Sequence, residues 1–278
     1  MKTYISIFLL AVVSFSCDEA TQLDLRQTPS NIVIEGLLTD KPHYQSVKIS
    51  RSSDFYSSGK TPRVEDATVM VTDDAGKEYA FIHNPRNHPD SMGIYLPVID
   101  FLGEPGKTYT LNVSVDGEAY TAADKLLTVI PIDKLEFQVN EDQEEDPNEP
   151  GKIYELLVYA REPQDAENFY LFNYYRNDSL ILYNPSDIYY SNDDLLAENI
   201  DGVPSPVYFG TNDSARLEVL SLTRSGYIYY NDLWSILNGD GGGMFGPIPS
   251  SPRTNLSNGA LGFFQVSAVQ EKQTYIEE

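Results

Sequence analysis

The stretch Asp66–Ile82, DATVMVTDDAGKEYAFI, decides the fold. Val69 and Val71 alternate with Thr68, Met70 and Thr72, a period of two. Tyr79 and Phe81 repeat that period after the turn residues Asp74-Ala75-Gly76-Lys77. Two alternating runs around a Gly-containing turn predict a β-hairpin. The device recurs in KTYTLNVSVDGEAYTA (Lys107–Ala122). There Tyr109, Leu111, Val113 and Val115 share one face, and Asp116-Gly117 supplies the positive φ angles of a type I′ turn. Pro105-Gly106 marks a turn just before that strand.

Working outward, NIVIEGLL (Asn31–Leu38) and QSVKISRS (Gln45–Ser52) read as further short strands. No long amphipathic helix interrupts them. Short strands separated by turn signals predict an immunoglobulin-like β-sandwich over residues 31–130. TVIPIDKLEFQVN (Thr128–Asn140) bridges to a second β-rich domain, residues 131–278, with one or two short helices. Its strands are KIYELLVYA, NFYLFNYYRNDSLI, SARLEVLSLT and a closing GALGFFQVSAV. Its helix is SGYIYYNDLWSILNG, where Tyr227, Tyr230, Trp234 and Leu237 fall on one face. Ser225 is the expected N-cap and Gly239 the expected stop. The fold class is therefore mainly β.

The acidic, proline-containing EDQEEDPNEPG (Glu141–Gly151) has nothing apolar to bury and is expected to be solvated and mobile. Its oxygens suit calcium, but Glu141–Glu149 lacks the spacing of an EF-hand loop, so no calcium is assigned there.

The 278-residue chain carries a formal charge of −23. From Cys17 onward it has 18 basic against 42 acidic residues, a net −24. Such a surface repels phosphate backbones and anionic lipids, which excludes nucleic acid as a partner class. Chemistry-bearing motifs are sparse. His83 and His88 lie five apart on a loop, short of the three or four ligands a zinc site needs. The sequence lacks G-x-S-x-G, H-E-x-x-H and P-loop patterns. Neither catalysis, a metal nor a cofactor is expected.

The only cysteine, Cys17, follows the apolar run Ile5–Val13 and the small residues Ser14 and Ser16. Residues 1–16 have the order of a secretory signal. SFSC resembles a relaxed lipobox, which implies lipidation at Cys17, followed by a tether over residues 17–30. Each buried lipid methylene contributes ~0.8 kcal/mol, and several chains hold a protein to a bilayer. Asp18 and Glu19 resemble the acidic surface-export signal of Bacteroidota lipoproteins. Three residues are candidates for partner or ligand contact: Tyr229, off the helix's apolar face, and Met244 and Phe245 in the glycine-rich loop GDGGGMFGPIPSSPR (Gly239–Arg253).

REPQDAENFYLFNYY (Arg161–Tyr175) contains Asp165-x-x-Asn168-x-Tyr170, and TNLSNGALGFFQVSAV (Thr254–Val269) contains Asn258-Gly259-x-x-Gly262-x-Phe264. With Cys17 and the acids after it, these resemble a family of uncharacterised Bacteroidota lipoproteins encoded beside TonB-dependent outer-membrane receptors. The resemblance implies a lipoprotein at the outer-membrane surface, anchored by its lipid, that captures a ligand for such a receptor or caps it. The competing readings are a structural or adhesive envelope protein and a hydrolase with an unrecognised site. In the motifs themselves, Asn258-Gly259 suits a tight turn, and Gly262 permits close backbone approach.

Overall fold

The computed structural model describes residues 30–52, 61–141, 144–164, 166–193, 199–239 and 251–277. Cys17, Asp18, Glu19, Asp165, Met244 and Phe245 lie outside these residues.

The first hairpin forms as its alternation predicts, from β3 (Thr68–Asp73) and β4 (Glu78–His83). The Asp73 carboxylate accepts from the Ala75 and Lys77 N–H groups, 3.0 and 2.9 Å, and so fixes the turn. The second hairpin joins β6 (Thr108–Val115) to β7 (Glu118–Lys125), with Asp116 at φ 53° and Gly117 at φ 81°. Tyr109, Leu111, Val113 and Val115 are all buried, as their shared face requires. With β1 (Ile32–Thr39), β2 (Ser46–Arg51) and β5 (Ile94–Pro97), these strands build seven-eighths of one sheet.

The eighth strand is β15 (Leu261–Ser267), from far along the chain, which pairs parallel to β1. The strand order is β15-β1-β2-β5-β4-β3-β6-β7. The sheet curls until its two ends approach, through a parallel bridge between Leu127 and Ser267. Asn255 stitches the same seam: its side chain accepts from the Phe264 N–H and donates to the Phe264 and Ala123 carbonyls. Ile34, Ile49, Val71, Leu111, Phe264 and Val266 are among the side chains that fill the interior. The mainly β class holds. A single ladder of eight strands does not by itself establish the two-sheet immunoglobulin arrangement.

Gly262 explains how β15 comes so close. Its φ is +95°, and a Cβ there would lie 2.1 Å from the Ile34 carbonyl oxygen. Asn258 and Gly259 make the turn before it, at φ 55° and 71°. The expected boundary at residues 130 and 131 is thus crossed. GALGFFQVSAV does not close the second domain but completes the first sheet, because its apolar side chains fill the seam there.

The rest forms a second body. β8 (Ile132–Val139), β9 (Tyr154–Arg161) and β13 (Asn199–Phe209) make one sheet, in the order β13-β9-β8. β10 (Phe169–Arg176), β11 (Ser179–Leu180), β12 (Tyr189–Asn192), β14 (Ser214–Leu222) and β16 (Val269–Tyr275) make another. Leu156, Tyr170, Phe209, Leu217 and Val219 pack between the two. On the outer face of the second sheet, Phe169, Leu171, Leu220, Leu222 and Val269 meet Tyr227 and Tyr230 of helix α1 (Arg224–Asn238).

The acidic loop differs from expectation. Asp146 is buried, and its carboxylate accepts from the Asn148 N–H at 2.8 Å and the Tyr183 hydroxyl at 2.8 Å. Arg176 supplies the missing reason. Its guanidinium donates to Glu149 at 2.7 Å and to the Tyr208 carbonyl, and lies 3.6 Å from Asp146 and 3.5 Å from Asp213. A buried cation from β10 holds residues that carry no apolar group of use to a core.

Candidate functional site

Helix α1 borders two surface hollows; a third, of about 410 Å³, lies away from it around Lys152, Arg176 and Tyr183. The helix's N-cap is Thr223 rather than Ser225: the Thr223 hydroxyl accepts from the Gly226 N–H at 3.3 Å. That hydroxyl donates to Asp124 of β7 at 2.7 Å. The other Asp124 oxygen accepts from the Val266 N–H of β15 at 2.9 Å. One carboxylate therefore ties the seam of the first sheet to the start of the helix. Burial pushes the Asp124 carboxyl up to about 6, against the hydrogen bonds that favour its ionised form. At the far end, Gly239 stops the helix as expected, its N–H donating to the Ser235 carbonyl at 2.9 Å. Arg253 then clamps Asp232 through its side chain, both bonds 2.7 Å.

The helix's apolar face is only half used. Tyr227 packs on Phe169 and Tyr190, with centroids 4.9 and 5.4 Å apart. The Tyr230 hydroxyl donates to Gln265 of β15 at 2.6 Å. Trp234 and Leu237 continue the same face yet are exposed. The reason is the floor: Phe169, Tyr190 and Val269 lie beneath the first half of the helix. Tyr229 is the converse case. Expected to project, it stacks on Phe263 at 5.0 Å and is half-buried. β15 passes beneath that side of α1, so a residue off the main apolar stripe finds a ring to cover it. Of the three candidate contact residues, only Tyr229 is described.

Two hollows flank Tyr230. The first, of about 260 Å³, lies where the bodies meet. Leu37 of β1 and Leu171 and Leu220 of the second body line it, with Leu180, Leu182 and Ile188 at its side. The second hollow, of about 330 Å³, lies between α1 and the outer face of β15, β1 and β2. It includes Tyr229 and Phe263 and the ion pair Glu35–Lys48, 2.7 Å. Leu37, Tyr230 and Gln265 belong to both, so the Tyr230–Gln265 hydrogen bond is a shared partition. Gln265 was the readable clue, a polar residue set within the apolar GFFQV.

Among the described residues, Asp187 is the only charged one lining the first hollow, and its carboxylate already accepts from the Tyr183 and Asn184 N–H groups, 3.0 and 2.8 Å. His, Cys, Ser and Lys are absent from that lining among the described residues. Elsewhere, His83 accepts from the Gly93 N–H and His88 from the Asp90 N–H, which accounts for both rings locally. Among the described residues no three His, Cys, Asp or Glu side chains converge as a metal site. Nor is any described helix long and apolar enough to cross a membrane.

Asn168 and Tyr170 of the Asp-x-x-Asn-x-Tyr motif are accounted for by a buried acid. Both side chains donate to one oxygen of Glu162, at 3.0 and 2.9 Å, and close the turn between β9 and β10. Burial raises the Glu162 carboxyl despite those donors.

A family model described as a domain of unknown function, DUF4249, matches residues 18–273. Nothing among curated proteins matches the chain.

Proposed function

The chain belongs to the DUF4249 family, a premise that brings no activity with it, and we propose that it is a non-enzymatic capture protein. On this reading Cys17 carries the lipid anchor, Asp18 and Glu19 direct it to the outer-membrane surface of a Bacteroidota cell, and the body serves a TonB-dependent receptor. The observation that carries the reading is the pair of hollows sharing Tyr230 and Gln265. They lie at the joint of two bodies, both hollows mainly apolar with a few polar groups, the composition and placement of a small-ligand site. Among the described residues, the lining of the first hollow brings no nucleophile and base together.

Affinity purification of the tagged protein from native outer membranes tests this. A TonB-dependent receptor should co-purify, and Cys17→Ala should abolish both fatty-acid labelling and that recovery. Recovery of the protein alone, or equal labelling of the variant, refutes the reading.

One observation favours the structural or adhesive alternative. Ile82, Val98, Ile99 and Leu102 expose a second apolar area on the first sheet and the loop after β5. A partner docking there rather than beside α1 would be released by Ile99→Asp.

A further inference from the structure

We propose that the cleft between Leu37, Leu171, Leu180, Leu182, Ile188 and Leu220 takes the aliphatic chain of a single-chain amphiphile, such as a fatty acid. This rests on the capture reading and names its ligand.

Three features point to a methylene chain. Seven of the cleft's fourteen described lining residues are leucine or isoleucine, beside the aromatic Phe172, Tyr174, Tyr189 and Tyr230, and they come from β1, the second body's larger sheet with the segment from β11 to β12, and the edge formed by α1 and β15. Leucine and isoleucine walls favour the removal of methylene surface from water, which suits a flexible chain without hydrogen-bonding groups. The charge pattern agrees. Asp187, the one charged side chain among the described lining residues, accepts two backbone N–H groups at a single carboxylate oxygen, and its negative charge would repel an anionic group placed beside it. The rim agrees as well: Leu180 and Leu182 are 46% and 50% exposed, large aliphatic groups left facing water at the mouth.

The polar end has a place of its own. Beyond the Tyr230–Gln265 partition, the adjoining hollow presents Ser46, Lys48 and Glu35. Lys48 is engaged by Glu35 and still 39% exposed, so a head group there is met by hydrogen-bonding groups and water.

Titration calorimetry with alkanoates of increasing length, in detergent-free buffer below micelle formation, tests the proposal on the full chain carrying Cys17→Ala. Each methylene buried should strengthen binding roughly fourfold until the cleft is full, after which affinity should level off. Paired substitutions Leu180→Asp and Leu182→Asp, both on exposed side chains, should weaken dodecanoate binding at least tenfold with an unchanged melting curve. Ile99→Asp, on a side chain 79% exposed on the other apolar area, should leave binding as it was. Affinity that climbs without levelling, or falls equally with Ile99→Asp, overturns the proposal as surface adsorption. Absent dodecanoate binding alongside receptor recovery that the rim pair abolishes overturns the lipid assignment but not capture. Dodecanoate binding at the rim without any receptor overturns receptor service but not the lipid assignment.

Discussion

Inside the eight-stranded sheet lie Ile34, Leu38, Ile49, Val71, Leu111 and Phe264, apolar groups from strands that mostly alternate, β15 excepted, where Phe263 to Ser267 are all buried. In the second body, Arg176, Asp146, Asp213, Glu162 and Glu218 are equally out of water. Burial would raise the Asp213 carboxyl, but donors from Gly210, Lys152 and Asn177 outweigh it and hold it below the usual carboxylate range. Glu218 accepts from Tyr44 at 2.8 Å, from Asn173 at 3.0 Å and from Tyr175 at 3.3 Å. Tyr44 belongs to the turn after β1, so that buried acid also joins the bodies. The first region is specified by shape and area, the second by the pairing of particular groups. Apolar packing degrades gradually when trimmed, whereas a buried ionic network fails when one member is lost.

Arg176→Ala should sharpen that contrast most. It leaves Asp146 buried without its cation and Asp213 with Lys152 alone, and should cost about 3–5 kcal/mol of unfolding free energy, read by urea denaturation. A loss under 1 kcal/mol would mean that the network adds little and the two regions are alike. Gly262→Ala is the matching blow to the first region. It forces a side chain into the left-handed region and against the Ile34 carbonyl, and should cost about 3 kcal/mol. A variant as stable as the parent would show that β15 is not held where it is described.

Asp124 sits between the regions and makes a pH-dependent prediction. Its folded carboxyl titrates near 6, against 3.8 as the ordinary value. The folded state therefore binds the proton more tightly than the unfolded chain does. Its contribution to stability is fully present below pH 3.8 and is lost as pH rises toward 6, by up to about 3 kcal/mol. Asp73 and Asp232 carry carboxyls held below their ordinary values and act in the opposite sense at lower pH. The informative quantity is the difference between the parent and Asp124→Asn. That difference should fall with pH between 4 and 6; a flat difference would show the carboxyl to be unperturbed. The smallest effect belongs to Trp234→Ala. Its side chain is 42% exposed at the unsupported end of α1, and its loss should change stability by less than about 0.5 kcal/mol. A larger change would mean that the helix's second half is covered after all.

What could be read from the sequence divides along the same line. Both hairpins around Asp74–Lys77 and Asp116-Gly117 were legible, because a period of two and a turn residue are local facts. So were the turn at Asn258-Gly259 and the close approach at Gly262, though not the strand it approaches. That β15 pairs with Ile34 rather than with its sequence neighbours depends on groups more than two hundred residues apart. The anchoring of the acidic loop was hidden for the same reason: Glu149 and Arg176 meet only once β10 is in place. Of the candidate site, the helix and Tyr230's inward face were legible. Its supporting floor was not, so Tyr229 was expected outside and Trp234 inside, the reverse of what the packing gives. Ser225 was the expected cap because serine commonly fills that role, but Thr223 has Asp124 to hold its hydroxyl.

The parallel pairing of β15 with β1 also sets a timetable. A chain made from its N-terminus completes β1 through β7 long before Leu261–Ser267 exists, and for that interval one side of β1 has no partner. Unpaired strand edges invite other chains, and distant pairings close slowly. The first sheet therefore cannot mature as an early, self-contained unit ahead of the second body. The last quarter of synthesis brings both the strand that seals the sheet and, in β16, the strand that extends its neighbour. A fragment ending before residue 261 should behave as an aggregation-prone intermediate rather than as a smaller protein, and any helper that guards the nascent chain should be needed until nearly its final residues have emerged.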